Sequence, residues 1–140
     1  MAYSAHMRAV RWLGSMAIVC SFVVTTPASA AITTNTIGPS ATLSPHGRLA
    51  RGTVIVSCTR GQRVDLSLTI RQNNAVATGG VSGTCDGTRQ SYPVRVTTRG
   101  SRTLQPGPAE ACARAINYSY RGIQDQRHWC RRGRITLFYS

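Results

Sequence analysis

The sequence predicts an all-β fold, a small antiparallel β-sandwich with two disulfides. Residues 62–72 alternate between apolar and polar side chains, and a period of two is typical of a half-buried strand. Short strand-forming runs recur about every 8–12 residues between turn signals, as in small sandwiches. The chain has five cysteines, of which four follow residue 30, an even number that suits disulfides in a small exported domain.

The first thirty residues are predicted to be a signal peptide. Arg8 and Arg11 precede an apolar stretch over residues 12–24, and Ala-Ser-Ala occupies residues 28–30. Small residues at these positions suit signal peptidase, so we place cleavage after Ala30. The alternative is a membrane anchor, but the stretch is shorter than the ~20 apolar residues that a membrane-spanning helix needs. We therefore expect a secreted, extracellular protein.

The remaining chain is predicted to form a flexible lead-in and one domain. Residues 31–47 are rich in Thr, Ser, Pro and Gly and predict a flexible lead-in, with a short strand around residues 41–43. Residues 48–140 are predicted to form a single β-sandwich domain. Its first strands are expected at residues 53–58 and 62–72.

Glycine and proline residues in the middle of the domain mark turns and strand ends. Residues 75–78 and 81–85 predict short strands, and residues 86–87 predict the turn before an alternating strand at residues 92–97. Pro93 has no amide hydrogen to donate to a strand ladder. We therefore expect it at a sheet edge or at a strand start.

The C-terminal third contains one ambiguous segment. Residues 108–118 resemble a helix by propensity, since Pro108 and Glu110 suit a first turn and alanine is abundant. As a strand, the same segment would place four alanines on one face, and the surrounding β pattern favours this. Residues 119–127 predict a polar loop, and residues 134–139 predict a final strand.

The four cysteines after residue 30 are predicted to form two disulfides. The alternative is a four-cysteine zinc site, but zinc ligands usually come as close C-x₂₋₄-C pairs, and no two of these cysteines are that close. Four cysteines allow three pairings, so the residues alone leave the connectivity open. The cysteines are Cys58, Cys85, Cys112 and Cys130.

Several short motifs in the first two thirds of the domain carry a family resemblance. They are Val54-x-Val56-x-Cys58-x-x-Gly61, a strand ending in Arg71-Gln72, Gly83-x-Cys85-x-Gly87, Val94-x-Val96 and Leu104-x-Pro106-Gly107-Pro108-Ala109-x-Ala111. The chain resembles, over about residues 50–118, a group of small secreted actinobacterial proteins of unknown function with an expected immunoglobulin-like β-sandwich.

This resemblance implies an immunoglobulin-like fold and a strand after Pro108. It also implies that Cys58 pairs with Cys85, which leaves Cys112 for Cys130. The chain departs from the group at Tyr92, where many members have Trp, and the second cysteine pair and the basic tail are not general features. The resemblance supplies no catalytic residues.

The charge of the chain is strongly positive. All 17 basic residues are arginines, against four acids, and the formal net charge of +13 falls to +11 when Arg8 and Arg11 are removed. Such a field attracts polyanions and anionic surfaces, and salt weakens the attraction. Codon usage accounts for the missing lysines, but it does not account for the scarcity of acids.

The sequence contains no pattern that predicts catalysis. It has no nucleophile-elbow serine motif, phosphate-binding loop, dinucleotide fingerprint or zinc-protease motif. His46 and His128 are not spaced with other ligands for a metal. We therefore expect no enzyme activity, no metal and no cofactor.

A basic stretch near the C-terminus is the candidate anion-binding site. Arginine makes forked contacts with phosphate and carboxylate, and tryptophan offers a cation–π surface. The alternative is a solvated basic loop whose tryptophan lies in the core. The candidate residues are Arg127, Trp129, Arg131, Arg132 and Arg134.

Together these observations predict a secreted, non-catalytic binding module for an anionic partner, such as an anionic polymer or a membrane surface, at the cell surface or in the medium. A secreted protease inhibitor is one alternative, although the cysteine spacing differs from the bacterial subtilisin-inhibitor pattern. A basic antimicrobial protein is another, although the sequence offers no amphipathic basic helix apart from the ambiguous segment.

Overall fold

The computed structural model describes residues 31–140, so the predicted signal peptide lies outside the described part. The described part is all-β, and no helix in it is long and apolar enough to cross a membrane. It has nine strands: β1 (Ile32–Ile37), β2 (Ser40–Leu43), β3 (Leu49–Cys58), β4 (Arg63–Gln72), β5 (Ala75–Thr84), β6 (Arg89–Thr98), β7 (Gly107–Ser119), β8 (Gly122–Cys130) and β9 (Ile135–Tyr139).

The strands form one mixed sheet whose hydrogen-bonded path returns to its start. From β3 the path runs through β2, β9, β7, β4, β5 and β6, and β6 pairs again with β3. β1 is added beside β3, and β8 is added beside β7. The buried apolar side chains of these strands meet in a single core.

The predicted purely antiparallel arrangement is wrong for one pair, because β2 and β9 run parallel. The chain leaves the ladder of β1 at Gly38, whose amide donates to the carbonyl of Thr53 at 2.8 Å. The carbonyl of Pro39 then accepts from the amide of Thr136 at 3.0 Å. The segment thus crosses from β3 to β9 without reversing direction.

The structure also differs from the predicted flexible lead-in over residues 31–47. Strand β2 agrees with the short strand predicted around residues 41–43, but β1 was not predicted, and Ile32, Ile37, Ala41 and Leu43 are all buried in the core. Threonine and serine between these apolar residues made the composition resemble a loop. Threonine is a good strand former, however, and four inward apolar side chains are enough to anchor two short strands.

Residues 108–118 lie in a strand, as the resemblance implied, and not in a helix. The four alanines Ala109, Ala111, Ala113 and Ala115 all point into the core and are at most 2% exposed. The core is also tightly packed beside Leu68, which lies opposite Ala113. A Cβ added at Gly52 would lie 2.7 Å from a methyl carbon of Leu68. Packing therefore overrides the helix propensity of alanine.

The predicted polar loop over residues 119–127 is wrong in its larger part, because β8 begins at Gly122 and pairs with β7 over most of its length. Both faces of β8 are largely exposed, so its sequence shows no apolar alternation.

The expectation for Pro93 is confirmed. Within the described residues, β6 pairs with β3 along most of its length but meets β5 only at Thr97 and Thr98. Pro93 therefore lies on a part of β6 with one neighbouring strand, where a missing amide donor costs no ladder hydrogen bond.

Two disulfides are present, with the pairing that the resemblance implied. Cys58 bonds Cys85, and both residues are buried, at 4% and 2% exposure. Cys112 bonds Cys130 across the directly opposed positions of β7 and β8, on the outer surface of the sheet.

Candidate anion-binding surface

The predicted basic site occupies the end of β8 and the connection to β9. β8 has β7 as its ladder partner and lies beside β1 on its other side, without a strand ladder between β1 and β8 in the described chain.

Arg127 is held in an ion pair. Its Nε lies 3.2 Å from Oδ2 of Asp125, and the same oxygen accepts a hydrogen bond of 3.1 Å from the amide of Ile32. Burial raises the pKa of Asp125, but the hydrogen bonds from Ile32, Gln126 and Arg127 outweigh this effect and leave the pKa lowered. The pair therefore ties β8 to β1, and the charge of Arg127 is largely matched.

Trp129 packs against the core, as the alternative interpretation stated. It is half-buried, lies opposite Ala113 of β7 and covers the gap between β8 and β1. Its indole Nε1 is buried and has no hydrogen-bond partner within the described residues. Its main role is to close the core where two strands separate.

Arg131 also joins the two ends of the described chain. Its Nη1 donates to the carbonyl of Ile37 at 2.7 Å, and its amide donates to the carbonyl of Ala111 at 2.9 Å. With Arg132 and Trp129 it lines a groove of about 330 Å³ beside β1. Arg132 is exposed and, unlike Arg131, makes no hydrogen bond or ion pair within the described residues.

Arg134 faces a different depression. It lines a cavity of about 450 Å³ together with Arg71, Gln72 and Glu110. The structure thus brings Trp129, Arg131 and Arg132 together, ties Arg127 to Asp125 and places Arg134 elsewhere. The five residues do not form one open basic surface.

Most arginines of the described chain have no carboxylate partner. Of the 17 arginines, Arg8 and Arg11 precede residue 31, which leaves fifteen. Two ion pairs occur in the described part, Arg63 with Asp65 at 3.6 Å and Arg127 with Asp125 at 3.2 Å. Thirteen arginines therefore have no carboxylate within ion-pair distance.

The four acids are unevenly distributed. Asp65 and Glu110 face outward on β4 and β7. Asp125 lies between β8 and β1. Asp86 lies in the turn before β6, where the side chain and amide of Thr88 donate to it at 2.6 and 2.8 Å and lower its pKa.

One face of the sheet carries arginines and no acid. We call it the acid-free face and define it as the outward side chains of β3 and β6. Its members alternate with buried residues along both strands. They are Leu49, Arg51, Thr53, Ile55, Ser57, Arg89, Ser91, Pro93, Arg95 and Thr97.

The sequence prediction missed this face. The alternation at residues 92–97 indicated which side chains point outward, but the proximity of Arg51 and Arg95 depends on how β3 pairs with β6. These residues are far apart in the chain, whereas the arginines of residues 127–134 are adjacent in it.

Metal ligands do not gather in the described part of the chain, since no three His, Cys, Asp or Glu side chains come together there. His46 and His128 are both exposed.

Comparison with known proteins gives a weak structural likeness. No protein-family model matches the chain, and no curated protein sequence matches it significantly. The crystal structure of the sporulation control protein Spo0M from Bacillus subtilis aligns with 79% of this chain at 17% identity and a TM-score of 0.35. The aligned region spans 50% of that protein's chain.

Proposed function

We propose that this protein is a secreted, non-catalytic binding domain for an anionic polymer at the cell surface or in the medium. The observation that carries the proposal is the surplus of thirteen arginines without a carboxylate partner in the described chain. Unmatched like charges repel each other and lower the stability of a compact domain. A polyanion removes this repulsion by binding, so the surplus is useful to a protein that meets one.

Secretion is part of the proposal. The signal-peptide pattern of residues 1–30 supports it, and so do the two disulfides, which are typical of proteins that fold in oxidising compartments.

We also propose that the fold is an immunoglobulin-like sandwich related to the small secreted actinobacterial proteins. The support is the split first strand, in which β1 pairs with β3 and β2 then pairs in parallel with the last strand, β9.

The proposal is tested by salt elution of the full chain, expressed for export and purified oxidised. The protein is eluted from heparin and from a sulfonated cation exchanger of matched charge density. We expect markedly later elution from heparin, because a flexible polymer can adapt to several arginines at once. Equal elution from both matrices would contradict the proposal, since the charge would then act as a diffuse field.

A protease inhibitor is the second candidate, and one feature favours it. Tyr120 is 91% exposed at the turn of the β7–β8 hairpin, and the strands of this hairpin are joined by the Cys112–Cys130 disulfide. The guanidinium of Arg121 lies 5.4 Å from the Tyr120 ring centroid. Inhibition of a chymotrypsin-like protease that is lost in Tyr120→Ala would support this function, and no inhibition across a panel of serine proteases would remove it.

A further inference from the structure

The acid-free face contains two arginines in directly opposed positions. Arg51 of β3 pairs in register with Arg95 of β6, and both are exposed. Directly opposed residues of neighbouring antiparallel strands point to the same side, with Cβ atoms about 4.5–5.5 Å apart. Like charges at such a position destabilise a sheet, and no acidic residue of β3 or β6 offsets them. An anion placed between the two guanidinium groups would offset their repulsion.

The same face extends this site along the strands. Arg89 lies opposite Ser57 and six residues before Arg95, which corresponds to about 20 Å at ~3.3 Å per residue. The floor between the arginines consists of two apolar side chains, Ile55 and Pro93, and the hydroxyl-bearing Thr53, Ser57 and Ser91. The face is therefore a shallow track with a cationic pair at one end and a further cation at the other.

The side chains of the track indicate which class of ligand can bind there. Arginine forks match the paired oxygens of a phosphate group, and hydroxyl groups suit a polyol or sugar backbone. No outward residue of β3 or β6 is aromatic, so the face has no platform on which nucleic-acid bases could stack. A linear polymer of phosphodiesters without bases fits these features better than a single-stranded nucleic acid.

We infer that the acid-free face binds a linear, non-nucleotide phosphodiester polymer that lies along β3 and β6, with one phosphate held between Arg51 and Arg95. This inference rests on the proposed function and gives it a site and a ligand class. It moves the anion site from the C-terminal stretch to the outer face of β3 and β6.

The test compares two double variants with the same change in charge. Arg51→Ser with Arg95→Ser alters the acid-free face. Arg71→Ser with Arg114→Ser removes two exposed arginines from β4 and β7 and serves as the control. Affinity for poly(glycerol phosphate) is measured at several salt concentrations with the full chain, oxidised, and thermal unfolding verifies that each variant is folded.

We expect the first variant to bind about tenfold more weakly or worse, because two charge-assisted contacts are lost. The slope of log Kd against log salt should fall by about one to two units. The control should change affinity about threefold or less, through the general field alone. Arg51→Lys with Arg95→Lys should be intermediate, since lysine keeps the charge and loses the fork.

Three outcomes would overturn the inference, and they differ from a failure of the proposed function. An equal loss of affinity in both double variants would show that the acid-free face is not the binding site. The proposed function would still stand if the wild type is retained preferentially on heparin. Single-stranded DNA of equal charge that binds as tightly as poly(glycerol phosphate) would remove the ligand class. If the wild type binds neither heparin nor poly(glycerol phosphate), both proposals fail.

Discussion

Asp125 shows how a single residue can hold two distant parts of a chain together. Its carboxylate accepts from the amide of Ile32 and pairs with Arg127, and its side chain is only 16% exposed. The residues could not reveal this contact, because the strand on which Asp125 lies was predicted to be a loop. By contrast, the buried positions of Val64 to Ile70 follow directly from their alternation.

The lowered pKa of Asp125 predicts a pH-dependent contribution to stability. Since its folded-state pKa lies below the unfolded-state value, its stabilising effect is present above about pH 4 and is lost as the pH falls through the folded-state pKa. We expect Asp125→Asn to lower the free energy of unfolding by about 1 kcal/mol at pH 7. The difference from the wild type should vanish once the pH is below the folded-state pKa of Asp125, as measured by urea denaturation.

Asp65→Asn is the matched control for this prediction. Asp65 pairs with Arg63 on the exposed sheet surface, where ion pairs contribute little. Superimposable pH profiles for wild type and Asp125→Asn would show that the charge of the Asp125 carboxylate does not stabilise the fold.

The two disulfides differ in how accessible they are to a thiol reagent. Cys130 is exposed and Cys112 half-buried on the sheet surface, whereas Cys58 and Cys85 lie in the core. Thiol–disulfide exchange requires access of a thiolate to sulfur. We expect dithiothreitol in native buffer to open Cys112–Cys130 at least about tenfold faster than Cys58–Cys85, because access to a buried bond requires local opening.

Alkylation followed by peptide mass analysis measures both rates. The control is the same reaction in denaturant, where the two bonds should be opened at similar rates. If the bonds open at equal rates in native buffer, the inner disulfide is less protected than its burial indicates.

At the level of strands, close approach of the backbone explains several glycines. β5 crosses the end of β6, and a Cβ added at Gly79 would overlap the carbonyl oxygen of Arg95. A side chain at position 79 would therefore push β5 away from β6 and displace the backbone of Arg95.

Gly79→Ala should thus be costly. We expect it to lower the free energy of unfolding by about 1–3 kcal/mol, because β5 must move away from β6. Urea denaturation measures the loss, and Thr78→Ala, at the exposed neighbouring position, should change stability by about 0.5 kcal/mol or less. A fully stable Gly79→Ala would mean that β5 shifts without cost.

The strands also show what the sequence could and could not predict. β4 and β9 agree with their predicted ranges to within a residue, because each has one clearly apolar face. β8 was missed because both its faces are polar, and β1 because threonine and asparagine separate its buried residues. The acid-free face was missed because strand register is a tertiary property, which the local pattern of β3 or β6 does not contain.

For the molecule as a whole, charge is the dominant property. Residues 31–140 keep a net charge of +11, and no outward residue of β3 or β6 is acidic. Repulsion among the arginines opposes folding and is screened by salt.

The stability of the whole domain should therefore respond to anions. We expect poly(glycerol phosphate) at low ionic strength to raise the thermal midpoint by several degrees, since a ligand at 100 times its Kd adds about 2.7 kcal/mol. Sodium chloride of equal ionic strength should raise it less. Differential scanning fluorimetry measures both, and an equal shift would mean that the polymer acts through screening alone.

The parallel pair of β2 and β9 makes the order of synthesis matter. β2 is made early, but the partner of its outer side lies among the last residues of the chain. Until β9 emerges, β2 presents a row of unpaired backbone groups, which are a template for pairing with other chains. All four disulfide-bonded cysteines lie between β2 and β9. Both disulfides can therefore form before β9 has paired, and the edge of β2 stays open until β9 takes its place beside it.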